Sequence, residues 1–161
     1  AGLVSITSPC AVVSPWGAIL VGAIGAFVYV GASKAVKAAG IDDAVDAFAV
    51  HGACGAWGVI ACGLFATPYY YGVSYYSDRA DDCAGIFYKG KASGSLAAAF
   101  ACVFVILAWV GSTMGLLFGT LKATGLLRVS QEIEDAGLDD SKHGGAMSEV
   151  VSEVTIKATE A

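Results

Sequence analysis

His51 sits in an otherwise uncharged stretch, Ala47 to Ser77, inside the run Asp42-Asp43-Ala-Val-Asp46-Ala-Phe48-Ala-Val-His51-Gly-Ala-Cys54-Gly55-Ala-Trp57-Gly58. If Asp42 marks the water boundary, the helix that follows carries His51 roughly 13 Å into a hydrocarbon layer about 30 Å thick, close to its midplane. An imidazole at that depth is costly to keep, so its default reading is a step on an ion or proton pathway. At about 100° per residue the side of the helix bearing His51 also carries Ala44, Ala47, Phe48, Cys54, Gly55, Gly58 and Cys62, all of them small except Phe48. Such a lane leaves either a narrow lumen or room for a neighbouring helix to press close. In the first case Phe48 and Gly55 line the path beside His51.

Other chemistries are less well supplied. Asp46 lies about 140° round the helix from His51 and is no proton partner for it within one helix. His51 and Cys54 share a face, but the chain offers no further ligand to complete a metal site, so neither metal nor cofactor is expected. An intramembrane hydrolase needs a nucleophile and a base, and no serine lies in the membrane half of this helix; no enzyme is expected. The rival reading makes His51 a core residue bonded to a backbone carbonyl of a neighbouring span, in a membrane scaffold or interaction protein.

The rest of the chain must position this residue. Of 161 residues, 57% are hydrophobic and only 14% charged, with a mean hydropathy of +0.69, which excludes an ordinary soluble domain. Three stretches without acidic or basic residues other than His51, Ala1–Ser33, Ala47–Ser77 and Ala92–Leu121, each exceed the roughly 20 residues a spanning helix needs. The expected fold is all-α and polytopic, with spans at about 14–36, 44–66 and 95–121. Residues 1–13 are expected to be the end of an earlier span and an external loop. The first span opens at Ser14-Pro15, the second at Asp42-Asp43, where carboxylates suit the positive end of the helix dipole, and the second stops at Thr67-Pro68. Residues 67–94 read as a loop whose five tyrosines between Tyr69 and Tyr76 form an interfacial belt.

Small residues recur at helix-packing intervals, Gly111, Gly115 and Gly119 in one span and Ala18, Gly22 and Ala26 in another. The five cysteines are irregularly spaced and read as packing residues rather than a disulfide framework. With no initiator Met and no basic region before its first apolar run, the chain reads as a C-terminal piece of a longer protein.

The charge is uneven. Residues 1–127 carry six basic and six acidic groups, whereas Arg128 to Ala161 carry three and eight, so the net charge of -5 belongs to the tail. An acidic tail suits neither nucleic acid nor an anionic lipid surface and is expected to meet basic loops of its own protein. Four basic residues (Lys34, Lys37, Lys122, Arg128) on the tail side against three (Arg79, Lys89, Lys91) on the other put residues 128–161 in the cytoplasm. There Ser130 can cap a short helix that ends at Gly137.

Taken in order, Asp42-Asp43-x-x-Asp46-x-x-x-x-His51-Gly52-x-x-Gly55-x-x-Gly58, then Leu126-Leu-Arg-Val-Ser130, then Ala136-Gly-Leu-Asp139-x-Ser-Lys-His143-Gly-Gly145 resemble the C-terminal part of the ammonium transporter, methylammonium permease and Rhesus protein family. Gly2-Leu-Val-x-Ile-Thr-x-x-Cys10 and Ser14-Pro-Trp-Gly-Ala18 are similar to the segment before the family's ninth helix. The resemblance implies an inverted-repeat fold of eleven helices, of which this chain would supply helices nine to eleven and the tail. It also implies a homotrimer or related hetero-trimer in the lipid bilayer, most naturally the plasma membrane, with ammonium or ammonia, and methylammonium, as passengers and no cofactor.

By the same resemblance His51 matches the second of twin pore histidines. The first histidine, the gate and the outer cation site belong to a half absent here, so this chain alone is not expected to transport. Ser141 falls where similar plant-type transporters carry a threonine whose phosphorylation closes the trimer, and Gly137 and His143 shape the docked tail. The family usually places an aromatic after its His-Gly pair, where Ala146-Met147 stands here.

Overall fold

The computed structural model describes residues 1–75, 77–88 and 93–137. Among them every regular element is helical. Three helices are long and apolar enough to cross a membrane: Pro15–Ala38, Phe48–Phe65 and Ser95–Ala123. The chain divides into two compact units, Ala1–Trp109 and Val110–Ala161.

The first unit begins with α1 (Gly2–Thr7), followed by a turn in which the amides of Val12 and Val13 both donate to the Pro9 carbonyl. α2 (Pro15–Ala38) starts as its sequence dictates: Ser14 caps it, accepting from the Gly17 amide at 3.4 Å, and Pro15 occupies the first turn, where a missing N–H costs nothing. Its end lies two residues beyond expectation. Gly40 takes φ +68°, its amide donates to Lys37, and the Ile41 amide reaches back to the Val36 carbonyl. That pair of bonds is a Schellman stop, which needs a residue without Cβ at Gly40.

The second span does not open at residue 44. Residues 41–46 form an irregular turn, and α3 (Phe48–Phe65) is π-helical over Phe48–Ala53 and α-helical over Cys54–Phe65. The Asp43 carboxylate accepts from the amides of Ala47 at 2.8 Å and Phe48 at 2.9 Å, so it caps a helix starting later than a dipole argument on Asp42-Asp43 alone suggests. α3 ends in extended backbone at Ala66, and the Thr67 amide donates to the Val12 carbonyl at 2.8 Å.

The described residues of the expected 67–94 loop are largely helical. They hold α4 (Pro68–Ser74), a 3₁₀ turn Ser77–Arg79, α5 (Ala80–Cys83), a second 3₁₀ turn Ile86–Tyr88 and the start of the third long helix. Thr67 caps α4 by accepting from the Tyr70 amide at 3.1 Å, the same Ser/Thr-Pro device that opens α2. Tyr69 and Tyr70 meet in a T-shaped pair and Tyr71 and Tyr75 in a tilted one.

The core gathers Val12, Val13, Val21, Ala61, Phe65 and Ala66, with Trp57 and Tyr71 against it. Close helix approach uses other glycines than the two expected stripes. A Cβ on Gly58 would stand 2.5 Å from the Ser5 carbonyl oxygen, and one on Gly25 would strike the Ser5 side chain, whereas Gly22, Gly111, Gly115 and Gly119 have no neighbour within 4 Å among the described residues.

The third long helix is α6 (Ser93–Ala123). In the second unit it ends as α2 does: Gly125 takes φ +73°, and the Leu126 amide donates to Leu121. α7 (Gln131–Ala136) follows. Ser130 holds its N-cap position without a side-chain bond, and Arg128 pairs with Glu134.

Candidate functional site

Two ends fix the helix that carries His51. At its start the Asp46 carboxylate takes one hydrogen bond from the Tyr29 hydroxyl and one from the Ser33 hydroxyl, each at 2.9 Å, with the Lys37 ammonium 3.7 Å away. Tyr29, Ser33 and Lys37 stand four residues apart and so form one stripe on α2. Further along, the Cys54 thiol donates to the Gly25 carbonyl at 3.5 Å and the Trp57 indole N–H to the Val21 carbonyl at 3.0 Å.

These contacts pair residue 46 with 29 and 33, 54 with 25, and 57 with 21. By interpolation His51 lies level with residues 27 and 28, roughly 16–19 Å from either end of α2 at 1.5 Å per residue. Counted from the observed start of its own helix, His51 is only about 4–5 Å in. Its position along the span therefore comes from its register against α2 and not from a count of residues from Asp42.

Within α3 the two sides are distinct. Ala49 and Cys54 are fully buried, facing inward, while His51 and Gly52 are exposed and Phe48 is 54% exposed. The Phe48 ring lies over Gly52, where an added Cβ would come within 3.0 Å of it. Gly55 is half-buried, its nearest neighbour being the Val4 side chain at 4.0 Å from a Cβ placed there.

The expected lane of small residues is only partly open. Cys54 points to α2, Gly58 is pressed by the backbone of α1, and the Cys62 sulfur lies 3.2 Å from the Ser8 hydroxyl. The 100° wheel fails beyond His51 because i→i+5 bonding over Phe48–Ala53 widens the turns and changes the angular step. This also separates the one metal pairing that the spacing allowed, since the Cys54 thiol is buried against Gly25 while His51 is exposed.

Asp46 has a task that sequence reasoning missed. The bond from Tyr29, then that from Ser33, hold its carboxyl below the usual carboxylate range, with Lys37 assisting and partial burial opposing. An open cavity of about 330 Å³, lined by Ser8, Cys62, Tyr71, Cys83 and Ser95 among others, does not include His51. In the tail Gly137 ends α7 at φ +84°; Ser141 and His143 lie outside the described residues.

Comparison with known proteins supplies the remaining constraint. The profile described as Ammonium Transporter Family matches residues 1–148. The chain is 44% identical over 144 residues to Ammonium transporter 1 member 2 of Arabidopsis thaliana, a match covering 89% of this chain and 27% of that protein. Ammonium transporter 1 member 1 of Arabidopsis thaliana and its namesake in Oryza sativa subsp. japonica are each 41% identical, again with 89% of this chain and 28% of theirs. The chain thus spans little more than a quarter of the length of these relatives. No solved structure matches it significantly.

Proposed function

This chain belongs to the ammonium transporter family, and on that premise we propose that it is the C-terminal, pore-lining part of a trimeric ammonium transporter of the plasma membrane. The observation that carries the reading is the placement of His51: level with the middle of α2, and exposed on the side of α3 away from the residues that pack inward. Phe48 and Gly55 flank it as pathway residues.

Moving a bare ammonium ion into a low-dielectric layer costs on the order of tens of kcal/mol by Born solvation, before relaxation. The cation must therefore lose its proton or keep polar company throughout. A neutral imidazole can accept that proton and pass it on, while uncharged ammonia crosses the apolar lane. His51 does this as one of a histidine pair, the other coming from a part of the transporter beyond this segment. The tail from Arg128 is cytoplasmic and regulatory, with Ser141 as its phosphorylated residue and Gly137 and His143 shaping it.

The test is a graft. Residues 1–148 replace the matched segment of Ammonium transporter 1 member 2 of Arabidopsis thaliana, in cells lacking ammonium transporters of their own. The graft is expected to restore labelled methylammonium uptake and its current, and His51→Ala to lower both by at least about tenfold at equal surface abundance. Uptake and current that survive His51→Ala unchanged would overturn the reading.

A further inference from the structure

Asp46 is the one described residue other than glycine with positive φ, at +54°, a left-handed conformation that side chains with a Cβ disfavour, though Asp tolerates it better than most. A strained residue persists where its surroundings over-determine it. Here they do so on three sides. The carboxylate is held by Tyr29 and Ser33 of α2, the amide donates to the Asp43 carbonyl at 3.2 Å, and the carbonyl accepts from the Val50 amide at 2.9 Å. Val50 directly precedes His51, and the π-helical stretch starts two residues after Asp46. Any rotation of Asp46 must therefore turn the backbone that aims the imidazole.

We propose that Asp46 is a positioning residue for His51: by locking its carboxylate to Tyr29 and Ser33, it fixes the left-handed turn from which the widened helix starts, and so sets the direction of the His51 ring. Both carboxylate oxygens are engaged, so Asp46 acts through the backbone and not as a proton acceptor. The inference rests on the reading of His51 as a pore residue.

The experiment uses the complete grafted transporter and two independent variants, Asp46→Asn and the pair Tyr29→Phe with Ser33→Ala; the pair leaves the carboxylate in place should Asp46→Asn fail to reach the membrane. Maximal uptake is expected to fall about tenfold in each while KM stays within about twofold, the mark of a misplaced pathway group rather than lost binding. The imidazole ¹⁵N signal of His51, identified by its loss in His51→Gln, is expected to move in both. An unmoved His51 signal, or full maximal uptake in both variants, overturns the inference. Should His51→Ala keep full uptake, the pore reading falls; an inactive His51→Ala beside an unmoved ring signal sinks the positioning role alone.

Discussion

His51 and Gly58 stand two turns apart on one helix and are constrained in opposite ways. His51 is left uncovered by the rest of the described chain, while Gly58 is covered so closely by the Ser5 carbonyl that the contact tolerates only hydrogen. A methyl group added at Gly58 would stand 2.5 Å from a backbone oxygen, which cannot step aside as a side-chain tip can. Gly58→Ala is therefore expected to force α1 and α3 apart at a cost of about 1–3 kcal/mol, read as a lowered melting temperature of the transporter in lipid nanodiscs. An unchanged melting temperature would mean that α1 does not press on α3 in the assembled protein. The sequence made this glycine visible as part of a lane of small residues, yet left open whether that lane was lumen or packing. At Gly58 it is packing, and the deciding residue, Ser5, carries no pattern that marks it in advance.

At the scale of elements, the start of α3 is where local rules and tertiary contacts part company. Ser14-Pro15 and Thr67-Pro68 are self-contained signals, and the second not only ends one helix, as expected, but also starts α4. The helices stopped at Gly40 and Gly125 run two residues beyond the expected ends at 36 and 121, each stop a glycine three residues after a lysine and before a large aliphatic residue. The delayed, widened start of α3 was not legible, because it depends on Asp46 reaching across to Tyr29 and Ser33 on another helix. The i, i+4, i+8 stripe of Tyr29, Ser33 and Lys37 was the one available hint. Since these partners favour the ionised carboxylate, the contribution of Asp46 is complete above its unfolded pKa of about 4 and is lost only as pH falls through the lower folded value. The factor by which Asp46→Asn lowers uptake is thus expected to be the same at about pH 5.5 and about pH 7.5. A factor that shrinks at the lower pH would show Asp46 titrating in that range, against the hydrogen bonds drawn here.

Over the whole molecule, charge is separated along the chain. The apolar region is balanced, six basic groups against six acidic, and the residues after Leu127 carry all of the net negative charge. We place regulation in that tail. Ser141 lies beside Asp139 and Asp140, and phosphorylation would add about -1.5 to -2 further charges to them. Like-charge repulsion is then expected to displace the tail from the docked position proposed for it, which requires no change at His51 itself. Ser141→Asp, which supplies part of that charge, is expected to lower methylammonium uptake of the grafted transporter several-fold at equal surface abundance, with Ser141→Ala remaining active. Because the effect is electrostatic and acts on the tail, Ser141→Asp should lower the maximal rate without altering the His51 imidazole signal. Normal flux through Ser141→Asp would remove the tail from the account of regulation and leave the pore reading untouched.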